Sequence, residues 1–167
     1  VAASVTSQVN LQVSAQYSNT VGLQDVVAPL SLMKTVALAN GVGAQQADKV
    51  FSAQYSIATG ATQSIDVVGS LTDAMGVAFT PARIKALYIG SAAANTTNLT
   101  LFGDAASVPF LNTAATTITL RPGGAILLCN PDATAFAVTA TTADIIKIVN
   151  AAGATAVVDV VIIGCSA

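Results

Sequence analysis

The sequence predicts an all-β protein, an antiparallel β-sandwich or barrel. Three observations carry this. Apolar and polar residues alternate with period two in one run after another. There are eight or nine such runs, short and recurring about every ten residues, with Gly, Pro, Asn or Asp between them. No 3.6-residue period lasts long enough to supply the crossover helices of a parallel sheet. The regular spacing begins near residue 49. Residues 1–48 read as an extended N-terminal arm with one or two strands, and 49–167 as the sandwich domain.

The elements follow in order. VNLQVSAQY alternates strictly and puts Val9, Leu11, Val13, Ala15 and Tyr17 on one face. From Ser18 to Asp48 the chain mixes Gly, Pro29 and short apolar pieces without a steady period. One or two strands near 26–39 are expected there, and a short helix is not excluded. VFSAQYSIA places Phe51, Ala53, Tyr55 and Ile57 on one face. A turn at 58–60 leads to TQSIDVVG, with Ile65 and Val67 inward and Asp66 outward. A polar excursion, SLTDAMG, precedes a strand at 83–90. LTLFG at 99–103 lies between two loops. TITLRPGGAILLC reads as a hairpin, because Pro presets one turn position and Gly supplies positive φ. Strands at 135–139, 144–151 and 155–164 complete the set. The apolar runs AILLC and AVVDVVIIG, the second interrupted only by Asp159, are predicted to be central strands, buried on both faces.

The composition is unusual. Charged residues make up 8% of the 167, against about 25% in ordinary soluble domains. There is no Glu, His or Trp, and all eight acids are Asp. So little charge predicts a surface largely covered by neighbours in an assembly. The net charge of −2 and six scattered cations argue against nucleic-acid binding. Arg83 and Lys85, two apart on one strand, read as a solvated edge or rim ion pair that the fold can spare. The most apolar stretch, Ala151 to Gly164, is shorter than the ~20 residues of a membrane helix and contains Asp159. The opening Val-Ala-Ala fits removal of an initiator Met, and no basic, apolar leader is seen. A protein made in the cytoplasm with no membrane anchor is expected. Cys129 and Cys165 are either free small hydrophobes or a disulfide, and their spacing does not decide which.

Catalytic chemistry is not expected. Without His there is no Ser-His-Asp or Cys-His pairing and no imidazole ligand. The Asp residues are isolated, and none stands in an Asp-Thr-Gly context. NGVGAQQ lacks the third Gly and the strand-to-helix setting of a phosphate loop. A pocket joining Asp66, Asp159 or Lys147 would be needed to revive an enzyme. Asp104 and Asp132 read as turn caps rather than Ca²⁺ ligands. Asn95-Thr96-Thr97 and Asn98-Leu99-Thr100 match the glycosylation pattern, as chance allows in a Thr-rich chain. No catalytic, cofactor or metal residues are assigned.

From residue 62 a pattern emerges: TQSIDVVGSLTDAMG, then ARIKALYIG, LFGDA, TTITLRPGGAILLCNPDATAFAV, ADIIKIVNAAG and AVVDVVIIGCS. It resembles small virion proteins of tailed bacteriophages, over residues 50–167. The resemblance implies a jelly-roll-like sandwich that decorates, or cements, the outside of an icosahedral capsid. Its partners would be the major capsid protein and copies of itself, as a homodimer or homotrimer. The arm has no counterpart in the resemblance. Its alternation suits addition of a strand to a neighbour's sheet, which singles out Val9, Leu11, Val13 and Tyr17 as interaction residues. The competing expectations are a receptor-binding or fibre-tip module, and a jelly-roll shell protein of a small virus. Against the last, there is no basic arm to pack a genome.

Overall fold

The computed structural model describes residues 4–69 and 71–167; Val1–Ala3 of the arm and Ser70 of the polar excursion lie outside the described residues. The chain is all-β. Its strands are β1 (Ser7–Val21), β2 (Gln24–Asn40), β3 (Gln46–Ala47), β4 (Lys49–Ile57), β5 (Ala61–Asp66) and β6 (Arg83–Ser91). They continue with β7 (Leu99–Phe102), β8 (Thr117–Leu120), β9 (Ala125–Cys129), β10 (Phe136–Ala137), β11 (Ile145–Asn150) and β12 (Ala156–Cys165).

Strands β4 to β12 form two antiparallel sheets facing one another. Sheet I has the order β10-β6-β12-β4, with β9 also pairing β6 along the edge that β10 occupies. Sheet II has the order β5-β11-β7-β8. One set of side chains from each sheet meets in the middle. From sheet I come Phe51, Ile57, Leu87, Ile89, Val158, Val160 and Ile162; from sheet II come Ile65, Leu99, Leu101, Ile146 and Ile148. All are buried. Each Ile or Leu removed from water contributes about 1.5–3 kcal/mol. The Phe51–Phe79 and Phe102–Phe110–Phe136 ring contacts, with centroids 5.0–5.5 Å apart, fill the space around this layer.

The chain passes back and forth between the sheets. β4 is in sheet I, β5 in sheet II, β6 in sheet I, β7 and β8 in sheet II, β9 and β10 in sheet I, β11 in sheet II and β12 in sheet I. This corrects the expected hairpin at 117–129. β8 pairs with β7 and β9 with β6, so the two runs belong to different sheets. The turn chemistry itself is as read. The Gly124 N–H donates to the Arg121 carbonyl at 2.9 Å, and Gly123 has φ +72 after Pro122, a type II turn. A tight turn fixes local direction, not which sheet receives the next strand. β9 is accordingly an edge strand, half-buried, and not central as its apolar run suggested. AVVDVVIIG does lie centrally, as β12 between β6 and β4.

A second correction concerns Lys85. It is fully buried, not part of a solvated rim. The β6–β12 register slips between Ile163 and Gly164, so that Ala86 faces Ile163 and Ile84 faces Gly164. Lys85 is the extra residue of this β-bulge. On the other side of β6 the ladder is broken too, between Cys129 and Phe136. The intervening loop closes over the bulge: Asn130 N–H donates to the Lys85 carbonyl, and Lys85 Nζ donates to the Asp132 carbonyl. Simple alternation could not reveal this, because a bulge resets the parity.

Buried amides pin one end of the sandwich. Asn150 Nδ2 reaches the carbonyls of Ile57, Ala58 and Ala154, and its Oδ1 accepts from the Thr97 hydroxyl. Asn95 exchanges two 2.8 Å bonds with the backbone of Val157, extending the β12 ladder with a side chain. Asn95 is thereby buried with its amide engaged, which removes the first glycosylation match. Asn98 of the second is exposed.

Lys85→Ala would leave the Asp132 carbonyl without its donor and a space under the loop. A loss of about 1–3 kcal/mol in urea unfolding is expected. Arg83→Ala, on a half-exposed neighbour, should change stability by less than about 0.5 kcal/mol.

Candidate functional site

Residues 7–40 form a long β-hairpin. β1 pairs with β2 along its whole length, from Ser7↔Leu38 to Val21↔Gln24. Two residues join them, Gly22 and Leu23. Positive φ falls on Gly22 alone (+68), as a type II′ turn requires. The primed turn matches the right-handed strand twist, so the two strands stay together.

The register sorts the side chains onto two faces. One carries Val9, Leu11, Val13, Ala15, Tyr17 and Val21 from β1, and Leu38, Val36, Leu32, Leu30, Ala28 and Val26 from β2. Lys34 is its single charge. The other presents Gln8, Asn10, Gln12, Ser14, Gln16, Ser18 and Thr20 from β1, opposite a mixed row from β2. Hydrogen bonds from Thr35 to Asn10 (2.9 Å) and from Thr20 to Asp25 (2.6 Å) reinforce this polar face.

Only the root of the apolar face is covered. Val9, Val36 and Leu38 are buried against Ala86 on the outer side of sheet I, together with Leu127, Cys129 and Ile163. The connection to the sandwich is held by the backbone. Ala39 N–H donates to Gln45 C=O, Gln45 N–H to Pro131 C=O at 2.7 Å, and Asp48 N–H to Gly164 C=O. The Asp48 carboxylate accepts from the Ser166 N–H and hydroxyl. Beyond the root, residues 10–35 are exposed throughout. Val13 is 59% exposed, Tyr17 72%, Leu30 59% and Leu32 67%. The distance from Leu11 to Val21 is about 33 Å at about 3.3 Å per residue.

Of the four residues expected to interact, Val9 anchors the root, while Leu11, Val13 and Tyr17 lie in one exposed apolar row. Sequence reasoning missed the matching row on β2, Val26 to Leu38. The signal was present: even positions from 26 to 38 are apolar except Lys34. Pro29 and the doubled Val26-Val27 and Leu32-Met33 hid it. Pro is confined to edge strands, and β2 has no partner on its outer side there. Val21-Gly22-Leu23-Gln24 also carried a two-residue turn signal.

Beside the root, the outer face of sheet I keeps an apolar groove. It is lined by Val9, Ala86, Tyr88, Leu127, Val161 and Ile163, with Gln8 and Asn10 at its rim. Gln8 and Asn10 belong to β1, whose outer edge pairs with no strand among the described residues.

The acidic residues are placed as structural groups. Asp104 accepts from Ala106 N–H and is 3.8 Å from Lys147; Asp73 accepts from Met75 and Val77 N–H groups. The Asp132 carboxyl is held below the usual carboxylate range, chiefly by the Ala135 N–H and the Thr134 hydroxyl. Asp159 bonds Gln54 on the outer face of sheet I, while Lys147 and Asp66 belong to sheet II, so these three share no pocket. Among the described residues no three His, Cys, Asp or Glu side chains are grouped to hold a metal ion. No helix there is long and apolar enough to cross a membrane.

Both cysteines are free. Cys129 lies half-buried beside the hairpin root. Burial pushes its thiol above the ordinary value, and the Lys34 ammonium pulls it back in part. The folded state therefore holds the proton more tightly than the unfolded chain does. This stabilising contribution is full below the ordinary thiol pKa of about 8.5 and is lost as pH rises through the folded value. Alkylation of Cys129 should accelerate only above the pH at which a free thiol reacts, and Lys34→Gln should move that onset further up; a pH series of iodoacetamide rates measures both. Comparison of the chain with protein-family models, with curated proteins and with solved structures yields no match.

Proposed function

We propose that the chain is a structural virion protein that binds the outside of an icosahedral capsid and stabilises the shell by clamping neighbouring capsomers. The observation that carries this reading is the hairpin. A chain with 8% charged residues projects a two-stranded ribbon whose apolar face, beyond its root, has no partner among the described residues. Contiguous apolar surface of this kind marks a contact with another protein.

The wrapping of the sandwich supports the same reading. With β9 and β10 counted as one broken strand, sheet I runs first, eighth, third and sixth, and sheet II second, seventh, fourth and fifth. This order supports reading the sandwich as jelly-roll-like, an architecture that recurs in viral capsid and lectin domains. Fold alone does not confer function. The resemblance of residues 50–167 to tailed-phage virion proteins and the exposed hairpin give the fold its use. On this reading the partners are the major capsid protein and copies of the chain, the location is the capsid exterior, and no catalysis is involved. The alternative, a receptor-binding or fibre-tip module, would draw on the cleft at the loop end of sheet II, beside Phe102, Pro109, Asn112 and Thr142.

The test is to produce the major capsid protein of the same genome as empty shells, add the purified chain, and sediment. The chain should co-sediment at a fixed ratio to the shell protein and raise the melting temperature of the shells by several degrees. A chain that stays at the top of the gradient at every concentration would overturn the proposal.

A further inference from the structure

We infer that the hairpin's partner is a second copy of this chain: the apolar face of one hairpin seats in the groove beside the hairpin root on the sheet I face of its neighbour. The inference rests on the reading of the hairpin as the contact element and adds what it contacts.

Two apolar surfaces of the same chain are left open, one wholly and one in part. One is the distal hairpin face, with Leu11, Val13, Tyr17, Val26, Leu30 and Leu32. The other is the groove beside the root, where Tyr88 and the half-buried Leu127, Val161 and Ile163 lie on sheet I next to the buried Ala86 and Val9. The protein already shows how the two fit. The root of the same hairpin face packs on the same sheet through Val9, Val36 and Leu38. A neighbour's hairpin would continue this intramolecular contact with the same residue types. The groove wall is also an open strand edge, at Gln8 to Asn10 of β1, where a second hairpin can add main-chain hydrogen bonds.

The dimensions agree. The free part of the hairpin reaches about 33 Å, at about 3.3 Å per residue. A globular domain the size of 49–167 is about 35 Å across. One hairpin therefore spans one neighbouring sandwich. Burying a Leu, Val or Tyr removes on the order of 100 Å² of apolar surface. The six distal residues thus offer on the order of 600 Å² per copy, approaching the ~800 Å² per partner of a stable interface. A hairpin seated there covers the groove with part of its apolar face and lies along sheet I with the remainder, while its polar row from Gln8 to Thr20 stays toward water. The charges do not oppose this, since Lys34 is the only one on the contacting face and Asp25 is on the other.

The test uses the full chain. Light scattering of the wild type should give a closed oligomer. Val13→Asp with Leu32→Asp, both on exposed positions, should raise the dissociation constant at least about a hundredfold without altering the circular dichroism spectrum. Gln12→Asp with Ser14→Asp, on the polar face, should leave it within about threefold. A second measurement maps the contact. In a Cys129→Ser background, a Leu30→Cys chain mixed with a Tyr88→Cys chain should form the mixed disulfide on mild oxidation, and a Gln16→Cys chain should not. A wild type that is monomeric at about 100 µM overturns the inference. So does an oligomer that survives the apolar-face charges, or cross-linking as efficient from Gln16→Cys. Shell binding is read separately. A monomer that binds shells overturns this inference alone, and an oligomer that ignores shells overturns the virion reading alone.

Discussion

The structure depends on β12 having two apolar faces. Its inward residues, Ala156, Val158, Val160 and Ile162, are completely buried and hold the two sheets together. Its outward residues Val161 and Ile163 belong to the surface on which the hairpin root lies or to the groove beside it. An ordinary sandwich strand alternates apolar with polar because one face meets water. β12 keeps polarity only at Asp159, away from the hairpin, where Gln54 answers it. The near-continuous apolar run is therefore explained by a three-layer arrangement: sheet II, sheet I, then the hairpin root. Without the outer layer, Ala86, Leu127, Cys129 and Ile163 would be exposed, and the ribbon would have no fixed direction.

The bulge at Lys85 serves the same surface. A shift of one residue in β6 sends Ala86 outward under the hairpin root while Ile84 and Leu87 both stay in the core. A small side chain is needed at Ala86, because Val9 and Leu38 pack against it. The cost is an ammonium taken out of water, offset by the carbonyl of Asp132 and by a loop that closes on both sides of the lysine. The same loop receives the Gln45 N–H through Pro131, so bulge, loop and hairpin base form one connected unit.

Much of this was legible in the residues. Period-two alternation located nearly every strand of the sandwich, and the inward sets Phe51 to Ile57 and Ile65 with Val67 are buried or half-buried as expected. Three features were not legible, each for a physical reason. Pairing of strands distant in sequence is not encoded by a local turn, so Arg121-Pro122-Gly123-Gly124 looked like a hairpin loop when it carries the chain between sheets. A bulge resets parity, so Lys85 looked like a rim charge. Alternation tells which side chains share a face but not whether anything covers it. For that reason VNLQVSAQY shows which residues share a face, but not that Val9 alone among them is buried. The apolar row on β1 was legible from alternation alone; the matching row on β2 was lost behind Pro29, which an edge strand tolerates.

The hairpin is joined to its domain at one end only, and this has a mechanical consequence. A pull on Gly22-Leu23 along the ribbon axis tensions β1 and β2 in parallel, with no rung of their ladder opened ahead of the others. The load passes to the root, where it is spread over apolar packing on sheet I and the backbone bonds of residues 39–48. A sideways pull is different, because a two-stranded ribbon is narrow and bends easily across its flat face. The hairpin is thus stiff as a tether and compliant as a lever: a body held at its tip could tilt freely while its distance from the sandwich stayed bounded.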